Sequence, residues 1–469
     1  MPAAYAFDLL GRDDGWRTLA FGLAALSLVW AIRTWSKGYV LREHKELAGK
    51  TLLLTGGFSG VGLAVLQYLA AEGAQVIVLT PEPLAPSVIQ LLLLLRSSTE
   101  NERLYAEKCD LADLASIRTF VKGWQKDARS GMVQDLEARI DGILFCDEDD
   151  MAEEPGIGVA PDLCKSTPPL EGVSRYGMTR LTGRHALVQL LLPILLRSAA
   201  TSTSPLRIVN SVSPFYATVT AESFRPKDVD YTESDAPPYP ASQPWIARGQ
   251  VALASTLLWQ EFQRRVTSTA AEKQAPPPPA SDFAANDPAA REAAAAATPI
   301  LALSACPGLT RSTLRALLRA SPSSPSFSVL GCAAYLLVYP LVWLFAKSAE
   351  EGAQCILAAL MADVYRPGET PEQRRRRTTE KTARGPDGET DRADASGAVR
   401  KGALADDRPP LLVCGGALYR EGLEVRLPLL AALPPNTAES VWTRQSKLVE
   451  EGLAEIVKAE KEEAGAPEA

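Results

Sequence analysis

Apolar residues along this chain gather into short runs separated by stretches with helical spacing. Lys50–Thr55 (KTLLLT) is a continuous apolar run that leads into glycines, the pattern of a strand buried on both faces. Leu63–Gly73 follows with helical spacing, and Ala74–Leu79 (AQVIVL) is the next strand-like run. Further strands are predicted at Asp141–Phe145, Leu206–Asn210 and Ile300–Ser304, with helices over Ala112–Lys126, Arg180–Leu196 and Gln250–Arg265. Strands alternating with helices imply an α/β fold, a doubly wound parallel sheet covered on both faces. Leu411–Val413 and the helix-periodic Ala438–Ala459 are expected to close it. Residues 46–457 therefore read as one domain, and 458–469 as a tail.

Two longer apolar stretches stand outside this alternation. Thr18–Ile32 carries no charge and is bounded by Arg17 and Arg33. Its fifteen residues would rise about 22 Å as a helix, short of a hydrocarbon core of roughly 30 Å. Trp16, Trp30, Trp35 and Tyr39 suit the interfaces, and the two arginines can snorkel outward. The stretch starts late and follows Asp13 and Asp14, which favours an uncleaved anchor over a cleaved signal peptide. The expectation is an N-terminal tail and anchor over 1–45, with a membrane helix at about 16–36. Arg33, Lys37, Arg42 and Lys45 behind it put the body on the cytosolic side. Ser326–Ala346, uncharged and containing Pro340, is expected to dip into one leaflet, a buried core or lid helix being the alternative.

Composition narrows the function. Of 469 residues, 46% are hydrophobic and 22% charged, enough for a large core without metal or disulfide support. Lysine and arginine number 49 against 56 acids, a net charge of −7, which argues against a dedicated nucleic-acid binder. His44 and His185 are the only histidines, so no histidine-rich metal site is expected. The seven cysteines are scattered without a Cys-x-x-Cys pair and read as reduced, buried thiols. Low-complexity stretches at 267–298, with Pro276–Pro279, and at 367–408, with Arg374–Arg377, are expected to be disordered insertions.

The segment with clearest chemistry is Thr55-Gly56-Gly57-Phe58-Ser59-Gly60-Val61-Gly62, between the first strand and the first helix. Gly56 permits a tight turn, Gly60 a close approach to a pyrophosphate, and Gly62 close helix–strand packing, while the helix N-terminus favours phosphate. A tight turn with no ligand is the alternative. TGGFSGVG resembles the TGxxxGxG fingerprint of the short-chain dehydrogenase/reductase family, which implies a Rossmann-like fold and an NAD or NADP cofactor. Other segments agree in order. Cys109-Asp110-Leu111 resembles the family's aspartate at the adenine ring. Gly183–Pro193 is similar to its fourth helix, and Arg207–Asn210 to the strand before the catalytic serine. Cys306-Pro307-Gly308-Leu309-Thr310 resembles the turn over the nicotinamide end. Gly415–Tyr419 resembles a late segment of the retinol-dehydrogenase-like and WW-domain-oxidoreductase-like branch. The resemblance thus implies cofactor contacts from Thr55, Gly56, Ser59, Gly60, Val61, Gly62, Asp110, Pro307, Gly308 and Thr310. Leu79-Thr80-Pro81-Glu82 after the second strand leaves the choice between NAD and NADP open.

The family's catalytic set is degenerate here. Members use a tyrosine as acid/base, a lysine that lowers its pKa, an orienting serine, and an asparagine that holds a relay water. The resemblance keeps the serine as Ser213, with Ser211 a close second, but places Arg248 at the tyrosine, Ala252 at the lysine and Arg180 at the asparagine. Phe145-Cys146-Asp147-Glu148 replaces the family's Asn-Asn-Ala-Gly. An arginine does not shuttle protons at neutral pH. Tyr239 and Tyr216 are the remaining candidate acids, with packing roles as the alternative. Two functions stay open: a non-catalytic dinucleotide-binding relative, and an active membrane-anchored oxidoreductase on a lipophilic alcohol or carbonyl such as a sterol, retinoid or polyprenol. The organelle, endoplasmic reticulum or lipid droplet, is implied only by anchor topology together with the family resemblance.

Overall fold

Every apolar run that reads as a strand is one. The computed structural model describes residues 15–41, 47–130, 139–147, 157–159, 163–164, 173–202, 204–229, 231, 239–274, 300–320, 327–364, 412–425 and 427–465. The chain begins with α1 (Gly15–Lys37) and then enters the repeat: β1 (Thr51–Thr55), α2 (Gly60–Ala71), β2 (Gln75–Thr80), α3 (Pro86–Thr99), β3 (Leu104–Lys108), α4 (Leu114–Ser130) and β4 (Gly142–Phe145). It continues with α5 (Gly183–Thr201), β5 (Leu206–Ser211), α6 (Pro244–Gln274), β6 (Ile300–Cys306), α7 (Arg311–Leu317), α8 (Val329–Phe345) and α9 (Ala349–Met361). After the short β7 (Asp363–Val364) and β8 (Leu412–Val413) come β9 (Leu418–Arg420), β10 (Leu423–Glu424) and α10 (Thr437–Gly465).

The main sheet has the order β10-β9-β6-β5-β4-β1-β2-β3. All neighbours are parallel except β10, which returns antiparallel beside β9. Both faces are dry because side chains of the central strands are apolar in both directions. Leu52 and Leu54 pack with Val65, Leu66 and Ile356 on one side, and Leu53 and Ile143 with Ile117, Leu187 and Leu191 on the other. Each such leucine contributes about 1.5–3 kcal/mol through burial. The strand order reverses at β1, between β2 and β4, and the crevice at such a switch point is where open α/β sheets bind ligands. Register aligns Thr55, Phe145, Asn210 and Ser304 in one row across β1, β4, β5 and β6. The loops that follow therefore open at the same edge.

Several boundaries differ from the sequence reading. The expected insertion at 267–298 starts later, because α6 keeps its helix through Gln274; 275–298 lies outside the described residues, as does the whole of 367–408. The expected tail at 458–469 is helical to Gly465, where Glu460 reaches Arg118 at 2.6 Å. β3 had no apolar run to announce it: it is an edge strand with only Leu104 buried. The membrane-spanning anchor is also corrected, since among the described residues no helix is long and apolar enough to cross a membrane. The segment is nonetheless a helix, α1, and every residue from Ala20 to Ala31 is exposed. The second apolar stretch forms α8, capped by the Ser328 hydroxyl, which accepts from Gly331 N. Tyr335, Val342 and Ala346 are buried against Leu314 and Leu318, and most of the remainder is exposed.

Candidate functional site

The turn leaving β1 is shaped by glycine at positions where a side chain has no room. Gly56 has φ +64°, and a Cβ there would sit 2.8 Å from the Asp147 backbone. A Cβ on Gly62 would fall 2.0 Å from the Gly56 carbonyl oxygen. The first turn of α2 thereby lies directly against the strand end. Beside it is a cavity of about 200 Å³ walled by Thr55, Gly56, Ser59, Thr80, Asp110 and Asp147 among others. Asp110 is held in place on three sides. Its Oδ1 accepts from Ala112 N at 2.8 Å, its Oδ2 from Arg175 Nη2 at 3.0 Å, and its own amide donates to Ser116 Oγ at 3.0 Å. Burial, with Asp110 and Asp147 nearby, pushes the Cys109 thiol up to about 12, so it stays protonated and inert.

Pro307, Gly308 and Thr310 follow β6. Gly308 has φ +87°, and Thr310 Oγ1 accepts from Thr313 N at 3.1 Å to cap α7. α9 starts directly over this turn: a Cβ on Gly352 would meet Val61 Cγ2 at 2.9 Å and Pro307 Cβ at 3.4 Å. The expected cofactor residues thus fall into two adjoining groups. Thr55, Gly56, Ser59 and Asp110 wall the cavity, while Val61, Pro307 and Thr310 meet beneath α9.

The positions expected to carry catalysis fall on the turn after β5, on α6 and on the turn before α5. Ser213 is buried and starts the 3₁₀ turn Pro214–Thr218. Arg248 lies on α6 with its guanidinium 5.9 Å from the Phe215 ring, and Gly249 packs so closely that a Cβ would be 2.5 Å from Phe215 O. Arg180 occupies a π-helical turn, Met178–Thr182, of the kind often found at functional sites. Its guanidinium is 4.3 Å from the Tyr176 ring, and that of Arg248 is 6.0 Å from the same ring. Ala252 faces elsewhere, into an apolar cluster with Val212, Tyr216, Cys306 and Leu418. Tyr216 belongs to that cluster; its phenol is raised by burial, partly opposed by Arg420. Tyr239 stacks edge-on to Tyr231 with ring centroids 5.7 Å apart. Its hydroxyl is buried, and burial raises its pKa against the opposing charge of Arg248.

Two functional residues escaped the sequence reading. Asp147 Oδ2 accepts from Thr55 Oγ1 at 2.6 Å and from Arg184 Nη2 at 3.3 Å. Arg184, fully buried, also donates to Asn210 Oδ1 at 2.7 Å and to Ser211 O at 2.9 Å. Asn210 Nδ2 passes the chain on to Ser255 Oγ at 3.0 Å. Arg180 adds a hydrogen bond to the Asp147 carbonyl. The acid in the Cys146-Asp147 segment and the arginine after Gly183 were the available signal, since each puts a charge where a neutral strand end and an apolar helix are required.

A family model described as the KR domain matches residues 50–137. The chain is 24% identical over 359 residues to an uncharacterized oxidoreductase, pbr1, of Schizosaccharomyces pombe, covering 75% of this chain and 80% of that one. It is 28% identical over 116 residues to human retinol dehydrogenase 12, covering 25% of this chain and 35% of that protein. A solved structure of an uncharacterized Mycobacterium paratuberculosis protein aligns with a TM-score of 0.47 at 18% identity, over 88% of this chain and 98% of that one.

Proposed function

Taking as its premise that the chain belongs to the short-chain dehydrogenase/reductase family, we propose that it is a membrane-associated dinucleotide-binding protein that does not perform the family's tyrosine-based hydride transfer. What supports this reading is a tight glycine turn beside a cavity, combined with a buried arginine, Arg248, at the position the resemblance gives to the catalytic tyrosine. The cradle fits the cofactor: Gly56 and Gly62 leave no space for a side chain, and the adjoining cavity has both apolar and polar walls. Thr55, Gly56 and Ser59 would hold the phosphate side, Asp110 the adenine side, and Pro307, Gly308 and Thr310 the nicotinamide side. Bound there, a nicotinamide dinucleotide supplies a hydride donor or acceptor.

What this chain's own residues do next differs from the family. By the resemblance Arg248 takes the place of the tyrosine that donates the proton, and it is buried with its guanidinium near the Tyr176 and Phe215 rings. It holds a positive charge and yields no proton at neutral pH. Ala252 brings no ammonium to the site and is packed among apolar side chains. Ser213 remains able to donate one hydrogen bond, which orients a ligand without moving a proton.

A second reading, an active reductase or dehydrogenase of a lipophilic carbonyl or alcohol, is favoured by the Tyr239 hydroxyl, buried within the field of Arg248. One experiment separates the two. Purified protein is titrated with NADH and NADPH by fluorescence, then given long-chain, isoprenoid and steroid ketones under the same conditions. Saturable binding with no turnover supports the first reading. Turnover lost in Ser213→Ala or Tyr239→Phe supports the second, and absence of binding overturns both.

A further inference from the structure

α1 and α8 are apolar helices that meet at their C-terminal ends. Ser36 Oγ donates to the Leu344 carbonyl at 2.8 Å, and Arg33 lies 5.8 Å from the Trp343 ring while bonding Glu351 at 2.5 Å. The pair is fastened to the body next to the Pro307–Thr310 turn. Lys347, at the end of α8, donates to Glu421, whose other oxygen accepts from Tyr39 N at 3.0 Å.

Beyond that junction the apolar surface has no cover. Phe21, Leu26 and Trp30 on α1 are 75%, 68% and 71% exposed, and Leu330, Leu336 and Leu337 on α8 are 81%, 65% and 84% exposed. From Ala20 to Ala31 α1 is apolar apart from Ser27 and exposed all round, unlike a helix that lies on a protein core. Glu351 and Glu421 pair with Arg33 and Lys347 at the junction, and the segments that form the helices carry bases alone. From Gly15 to Arg42, and again from Arg311 to Lys347, the sequence contains no aspartate or glutamate. α7, packed along α8, carries Arg311 and Arg315, and Arg319 follows it. Aromatic rings sit among these bases: Arg315 lies 5.6 Å from the Tyr335 ring, and Arg311 donates to the Trp343 carbonyl at 3.4 Å.

We propose that α1 and α8 together form a two-helix platform that embeds in one side of an anionic phospholipid bilayer without crossing it, with α7 as its basic rim. This rests on the membrane association proposed above and names its partner. Bare apolar helices rimmed by aromatic and basic residues are matched by acyl chains below negative headgroups. A second copy of the chain fits poorly, because a two-fold contact through this face would bring the same acid-free, arginine-bearing segments together. Thr18–Ile32, rising about 22 Å, falls short of a hydrocarbon core of roughly 30 Å. The platform adjoins the turn expected over the nicotinamide end, so a lipid-dissolved ligand reaches the crevice from the bilayer.

The test is flotation of the full chain with vesicles of phosphatidylcholine alone or with about 30% phosphatidylserine. At least tenfold stronger binding to the anionic vesicles is expected, weakening with salt. Leu330→Asp with Leu337→Asp should abolish flotation on both; Arg315→Glu with Lys37→Glu should remove only the preference for phosphatidylserine. All four side chains are exposed, and far-UV circular dichroism checks that each variant keeps its fold. Undiminished flotation of the double-leucine variant, equal binding to both vesicle types, or a concentration-dependent dimer in place of vesicle binding would each overturn the proposal. Flotation without any NADH binding would overturn the nucleotide reading and leave the platform standing.

Discussion

Replacing Asp147 with Asn tests how the glycine loop is tied to β5, the strand that precedes Ser213. Asp147 and Arg184 are 3.3 Å apart, with side chains 12% and 0% exposed. At an effective dielectric near 20 their attraction is about 5 kcal/mol, of the same order as the cost of taking two ions out of water. The intact pair is therefore close to neutral, whereas losing one member is not. Asp147→Asn leaves a buried guanidinium facing the neutral oxygens of Asn210 and Ser211, and should destabilise by about 3–5 kcal/mol. Arg184→Met strands the carboxylate and should cost a similar amount. The double variant should recover roughly 1–3 kcal/mol of the summed loss, the usual range for residues in direct contact. Urea unfolding followed by far-UV circular dichroism reads these differences, with a slope of about 3 kcal/mol/M giving midpoint shifts of about 1–1.7 M for each single variant. Single-variant losses below about 1 kcal/mol, or effects that simply add, would refute the linkage.

Gly62→Ala should weaken NADH binding at least tenfold in a fluorescence titration, because its Cβ falls 2.0 Å from Gly56 O and the loop must move; an unchanged titration would show that the cradle does not hold the nucleotide. His185, buried beside Trp442 and 3.1 Å from Ser446 Oγ, has its pKa lowered to about 3 by burial and then by Arg265. The unfolded chain thus takes up a proton, near the ordinary value of 6.5, that the folded chain refuses. Stability should be unaffected above that value and fall by about 1.4 kcal/mol per pH unit as pH drops toward 3. His185→Gln should flatten that slope in a melting series, and a wild-type slope retained by the variant would count against the assignment. Ala252→Lys should lower the melting temperature and restore no turnover, since its ammonium would enter the cluster of Val212, Cys306 and Leu418. A stable variant would mean that this space is wetter than its neighbours suggest.

The fold was legible where burial on both faces dictated composition. KTLLLT, AQVIVL and ILALS can satisfy their apolar side chains only inside a covered parallel sheet. β3 was not legible, because an edge strand needs to bury only one side chain, Leu104, and the rest of LYAEK reads as surface. The glycine loop could be read because its constraint is local: an adjacent strand and helix leave no space for a Cβ. The buried arginines could not. Arg180, Arg184 and Arg248 carry the residue type most expected at a surface, and only the tertiary fold brings Tyr176, Asp147 and Asn210 around them. The π-helical turn ahead of α5 has no signature in composition either.

The packing around Ala252 sets a limit on redesign. Val212, Tyr216, Cys306 and Leu418 share its buried cluster, so a longer side chain there has to displace several neighbours at once. A charged group placed at that position therefore demands changes at the surrounding residues first, whereas alterations confined to the glycine turn leave this cluster untouched.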